Sequence, residues 1–142
     1  MRATRSDTSR FFVDTSAIVA LFVDREEHHL QARQVLQELG TLGTVLLTTN
    51  LVAAETHAFV LSRAGRTTAR TALRRVDAQF EILRVTEGDE QAGRAILDRY
   101  ADKDFSLTDA ISFAVMDRLK LRTAFAFDRH FAQYGLDVLT AE

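Results

Sequence analysis

The 142 residues contain no cysteine and no proline. Without cysteine there can be no disulfide, no thiol nucleophile and no cysteine-ligated zinc, a composition that suits a reducing cytoplasm. An excess of positive charge is also missing. The net charge is −2, so no global basic field marks a nucleic-acid partner, and any such contact has to come from a local patch. The first ten residues, MRATRSDTSR, are polar and carry no apolar h-region of a secretory signal. The longest apolar run, Ala17 to Val23, falls far short of a membrane span. No internal repeat, low-complexity segment or linker interrupts the chain. The expectation is a cytoplasmic protein with no membrane contact.

What is present is ordinary for a globular chain: 46% hydrophobic and 27% charged residues. This length suits one domain, burying roughly 68–70% of its unfolded surface. Residues 1–10 read as a flexible arm and 11–142 as the domain. Short apolar runs at Phe11–Val13, Thr44–Thr48, Phe80–Val85 and Thr123–Phe127 read as strands, with a further edge strand at Asp137–Leu139. Helical spacing lies between them: Ser16–Val23, His28–Leu39 closed by Gly40, Leu51–Arg63 capped by Asn50 and ended by Gly65, and Arg66–Gln79. Glu87–Tyr100 follows with Ala92, Ile96 and Leu97 inward, then the apolar Ser106–Leu119 and the short Asp128–Tyr134. Alternating strands and helices, with strands apolar throughout, predict an α/β fold. Its form is a three-layer α/β/α sandwich around a mostly parallel sheet of four to five strands.

Four acids follow or interrupt apolar sequence. Asp14 ends the first strand and Asp128 follows the fourth, Glu55 lies one turn into the helix after the second strand, and Asp109 is the only charge between Asp104 and Asp117. Three of them have a local alternative. Ser16 stands where the first helix needs a cap, and Asp14 or Asp128 could cap a helix itself. Ser106-Leu107-Thr108-Asp109 has the spacing of a capping box. Capping does not explain Glu55, too deep in its helix to reach free amides, nor why all four map to one rim of the sheet. Gathered without a cation, each close pair of carboxylates costs about 4 kcal/mol at an effective dielectric near 20. Mg²⁺ or Mn²⁺, one ion or two, removes that repulsion, and all-oxygen sites of this kind serve phosphate chemistry.

The motifs Val13-Asp14-Thr15-Ser16-Ala17, Glu55, Asp102-Lys103-Asp104-Phe105-Ser106-Leu107-Thr108-Asp109-Ala110-Ile111-Ser112-Phe113 and Ala126-Phe127-Asp128-Arg129-His130-Phe131 occur in this order. In them the chain resembles the PIN-domain ribonucleases, and among these the VapC-type toxins of toxin–antitoxin pairs. The resemblance covers nearly everything after residue 10. It implies metal-dependent hydrolysis of RNA by Asp14, Glu55, Asp109 and Asp128, with Ser16 beside the first acid. It also implies a small antitoxin protein as partner, and a homodimer. Many relatives carry a hydroxyl two residues before the fourth acid, where this chain has Ala126. The competing reading from another class is a catalytically inactive PIN scaffold that binds RNA or protein. A receiver domain would need paired acids and a lysine ending the last strand. A haloacid-dehalogenase-like phosphatase would need an acid where Ser16 stands.

Asp104 is either a fifth acid at the mouth or a solvated loop charge. Arg66, Arg70 and Arg74 recur every four residues on one helix face. They read as a solvated face, an RNA-backbone contact or an antitoxin-docking surface. His28, His29, His57 and His130 form no zinc pattern and are expected at the surface or in packing roles.

Overall fold

The computed structural model describes residues 9–139. The arm expected at 1–10 lies outside those residues up to residue 8, as does the chain beyond 139. Strand β1 spans Arg10–Val13, and the Ser9 carbonyl before it already accepts a hydrogen bond from Val45. Helices α1 (Thr15–Phe22) and α2 (His29–Thr41) lead to β2 (Val45–Thr49). Next come α3 (Asn50–Gln79), β3 (Glu81–Leu83), α4 (Glu87–Arg99) and α5 (Leu107–Leu119). The described chain ends with β4 (Thr123–Phe125), α6 (His130–Tyr134) and β5 (Asp137–Leu139).

All strand pairs are parallel, in the order β3-β2-β1-β4-β5. Helix packing separates into α1 with α2 and α3, and α5 with α4 and α6. Right-handed crossovers from β1 toward β3 and from β3 across to β4 place these groups on opposite faces. The predicted three-layer sandwich is therefore present, with five strands. Its topology has a functional consequence: crossovers leave β1 and β4 in opposite directions, which opens a crevice at their carboxyl ends. Phe12 pairs with Leu47 and Ala124, and Val13 with Phe125. The Asp14 amide still donates to the Phe125 carbonyl at 3.0 Å, so the ladder holds up to the first acid.

The core on both sides of the sheet is aliphatic and aromatic, with Phe12, Ile18, Leu47, Phe113, Phe125 and Phe131 fully buried. Each such side chain contributes roughly 1.5–3 kcal/mol by leaving water. Helix α5 is buried from Asp109 through Met116 because α4 and the sheet enclose it. Gly93 is what lets α4 approach: a Cβ there would stand 2.7 Å from Ile111 Cγ1 and 3.0 Å from its backbone nitrogen. The expected inward position Ala92 is exposed, and Gly93 is buried in its place. An apolar-periodicity reading cannot see this, since a glycine at a close helix crossing contributes no side chain to the pattern. Arg118 locks the pair, donating from Nε to Asp89 Oδ1 at 2.8 Å and from Nη2 to Oδ2 at 2.9 Å.

Three capping assignments shift by one or two residues. Thr49, not Asn50, caps α3: its Oγ1 accepts from the Val52 amide at 3.1 Å. Asn50 instead accepts from the Val85 amide at 2.9 Å, fastening α3 to the segment after β3. Asp14, not Ser16, caps α1. Asp128 precedes α6, which begins at His130. The break expected at Gly65 is present, with φ 86° and ψ 177° inside α3, a conformation that glycine adopts without a Cβ penalty.

Candidate active site

Three of the four acids, Asp14, Asp109 and Asp128, owe their place to a local structural need as well as to the sheet. Asp14 caps α1, with Oδ2 accepting from the Ser16 amide at 3.1 Å and from Ser16 Oγ at 2.7 Å. Ser16 Oγ in turn accepts from the Phe127 amide at 2.9 Å. One hydroxyl thus ties the end of β1 to the residue beside Asp128. Ala126 is fully buried and supplies no polar side-chain atom. Asp109 forms the expected capping box with Ser106: Oδ2 accepts from the Ser106 amide at 3.0 Å, and its own amide donates to Ser106 Oγ at 3.0 Å. The same Oδ2 lies 2.8 Å from His130 Nδ1. Asp128 Oδ1 accepts from the His130 amide at 3.0 Å.

The cap and site readings are therefore compatible. In Asp14, Asp109 and Asp128, one oxygen is committed to a local donor. Among the described residues no donor reaches Asp14 Oδ1, Asp109 Oδ1 or Asp128 Oδ2. Three carboxylates are pinned in orientation with one oxygen each to spare. Together with Glu55 they line a single cavity of about 380 Å³ at the carboxyl end of β1 and β4.

Burial, and after it the neighbouring Asp128 carboxylate, hold the Asp14 carboxyl well above the usual carboxylate range. Asp109 adds to the effect, while the hydrogen bonds from Ser16 oppose it. A buried carboxyl facing like charges is a poor structural element and a good cation ligand. The donor set fits a hard divalent ion: ligand atoms of Asp109, Asp128 and His130 lie within 4.8 Å of one another, and the remaining acids supply oxygen. His130 Nδ1 faces Asp109, so its evident work is to hold that carboxylate. The backbone amide of the same residue holds Asp128.

The structure brings Asp14, Ser16, Glu55, Asp109 and Asp128 together. It leaves Asp104 exposed and outside the cavity lining. Arg66, Arg70 and Arg74 are exposed on α3 beyond Gly65, also away from the lining. The sequence did not single out Glu26 or Phe59, which line the cavity, and His28, also on the lining, and His130 were expected only at the surface or in packing roles. His130 could have been found from its position two residues after Asp128. His28 carried no such signal, because it reaches the site only by stacking on Phe127, centroids 4.5 Å apart and planes at 4°.

The PIN domain profile matches residues 11–136. Over 125 residues the sequence is 31% identical to the 23S rRNA-specific endonuclease VapC20 of Mycobacterium tuberculosis, covering 87% of this chain and 93% of that one. Over 133 residues it is 29% identical to ribonuclease VapC26 of the same organism, with 84% and 88% covered. The crystal structure of M. tuberculosis VapC20, described as a Sarcin-Ricin loop cleaving toxin, superposes with a TM-score of 0.84. That pair is 29% identical over 92% of this chain and 98% of the other. VapBC2 from Rickettsia felis, at 12% identity and TM-score 0.70 over 92% and 97% of the two chains, shares the fold. The chain belongs to the PIN-domain family. Within it, the chain is a VapC-like ribonuclease, a hydrolase of RNA. No described helix is long and apolar enough to cross a membrane.

Proposed function

We propose that the chain is the toxin of a toxin–antitoxin pair, hydrolysing RNA phosphodiesters at Asp14, Glu55, Asp109 and Asp128 around one or two Mg²⁺ or Mn²⁺ ions. The observation that supports this most is the set of three pinned carboxylates, each with one free oxygen, on the wall they share with Glu55. When bound, a hard divalent ion neutralises the phosphate and lowers the pKa of an attacking water. The chain's own groups supply the rest. Asp14, buried and held by Ser16, is the central ligand, and Asp109 and Asp128 present single oxygens held in place by His130 and Ser106. Glu55, free of a cap, completes the set from α3. The toxin role rests on the likeness to VapC20, and a neutralising antitoxin and a homodimer follow from that role and the family.

The test is cleavage of total ribosomal RNA with Mn²⁺ and with a chelator. Cleavage should need the ion, and millimolar Mn²⁺ should raise the melting temperature. A ligand at a hundred times its dissociation constant stabilises by about 2.7 kcal/mol, which is about 10 °C for a domain of this size. Chelator-resistant cleavage, or a melt indifferent to Mn²⁺, overturns the metal reading.

The arginine face serves this function as a backbone or antitoxin contact outside the cavity. Changing Arg66, Arg70 and Arg74 to Ala should lower the salt dependence of single-stranded RNA binding by about 0.7 for each phosphate no longer neutralised. Turnover at saturating RNA should persist. An unchanged slope together with a failure to bind antitoxin assigns the face to docking instead.

A further inference from the structure

The cavity is larger than its acids require. At about 30 Å³ per water, an octahedral ion with two positions taken by carboxylates brings about four waters, roughly 120 Å³, so even two such ions leave about a third of the 380 Å³ present. The remainder is walled by Val19, Ala20, Phe59 and Phe127. Phe59 stands one turn beyond Glu55 on the same face of α3, so acid and ring look into the same space. The residue stays 37% exposed at the edge of that cavity. The Arg63 guanidinium covers it at 4.6 Å from the centroid and is itself held by Glu26, 3.7 Å away on the cavity wall. Phe127 is the opposite case, since His28 stacks on it and helps fix it.

Neither hydrated ions nor a ribose-phosphate backbone gain from apolar and aromatic walls. A nucleobase does. The base next to the cleaved bond is tethered through a single ribose to a phosphate that sits at the carboxylates, so it cannot lie far from this wall. We infer that Phe59, with the apolar wall beside it, is a subsite for one unstacked nucleobase flanking the cleaved phosphodiester. Unstacked bases of loops and single strands are what aromatic platforms recognise, whereas a paired base keeps its faces covered. The subsite gives the enzyme one base-reading contact beside the cleaved bond. It rests on the assignment of the scissile phosphate to the acids.

The experiment compares ribose 5-phosphate, which has no base, with the four ribonucleoside 5′-monophosphates, titrated by calorimetry in the presence and absence of Mn²⁺. In the wild type at least one nucleotide should bind about tenfold more tightly than ribose 5-phosphate, the scale of one base–aromatic stack. Phe59→Ala should erase the difference without weakening ribose 5-phosphate, and Phe59→Trp should keep it. The melting temperature of each variant separates this from a folding defect. Equal binding of ribose 5-phosphate and all four nucleotides, or a difference that survives Phe59→Ala, overturns the subsite and leaves the wall to a side chain of a partner protein. Base-dependent binding indifferent to Mn²⁺ keeps the subsite and removes the metal assignment. Absence of all binding removes both.

Discussion

Asp14→Asn will cut RNA about a thousandfold more slowly than the wild type while melting at a higher temperature in metal-free buffer at neutral pH. The rate loss follows from removing the most buried of the proposed ligands, since transition-state charge stabilisation of about 4 kcal/mol corresponds to three powers of ten. The gain in stability follows from the same carboxyl. Its folded pKa lies above the unfolded value near 3.8 because burial, and then Asp128, disfavour the ionised form. A carboxyl of that kind stabilises most below its unfolded pKa, and the contribution disappears as pH rises through the folded pKa. At neutral pH the buried carboxyl is therefore a cost. Asparagine removes that cost and retains an oxygen for the Ser16 bonds that cap α1. The advantage of the variant should shrink as the pH falls toward 3.8, and Mn²⁺ should no longer raise its melting temperature. A variant that melts below the metal-free wild type at neutral pH, or cuts within about tenfold of it, refutes the assignment. Asp89 has the opposite sign, its pKa lowered chiefly by the hydrogen bond from Arg118. Its stabilisation is present above the unfolded pKa and is lost as pH falls through the folded one.

Gly93→Leu should destabilise the fold by about 3 kcal/mol, the upper range for overpacking, and lower the melting temperature by about 10 °C. The neighbouring Ala92→Leu should stay within about 0.5 kcal/mol of wild type. Leucine is a good helix former, so propensity cannot account for the contrast. The added Cβ at 93 meets the Ile111 backbone as well as its side chain, and the helices can relieve it only by separating. Separation would strain the Arg118–Asp89 fork across the same crossing. Matching melts for the two variants would show that α4 and α5 do not pack as described.

The contrast between Ala92 and Gly93 marks where the sequence stops being legible. Strand and helix order could be read because each element carries its own period, and the four acids because each breaks an apolar pattern. The break at Gly65 was legible for a similar reason, as glycine announces it. Close approach was not, because it belongs to two helices at once. The same holds for the functions of Ser16 and His130. Their types are visible in the chain, but Ser16 acts on Phe127 and His130 on Asp109, and no local spacing records those distances. Phe59 has the look of ordinary helix core in the sequence, and only the cavity beside it distinguishes it.

The position of β1 in the sheet has a consequence for synthesis on the ribosome. It pairs on one side with residues 45–47 and on the other with residues 124 and 125. The first acid is therefore made early but acquires its neighbours late, since Asp109 and then Asp128 must follow before the cavity has its walls. A growing chain that has passed the first, second and third strands holds Asp14 and Glu55 with nothing facing them. The cavity of this nuclease thus remains incomplete until translation has gone beyond Asp128, and premature termination anywhere before that point yields a fragment without one of its proposed ligands.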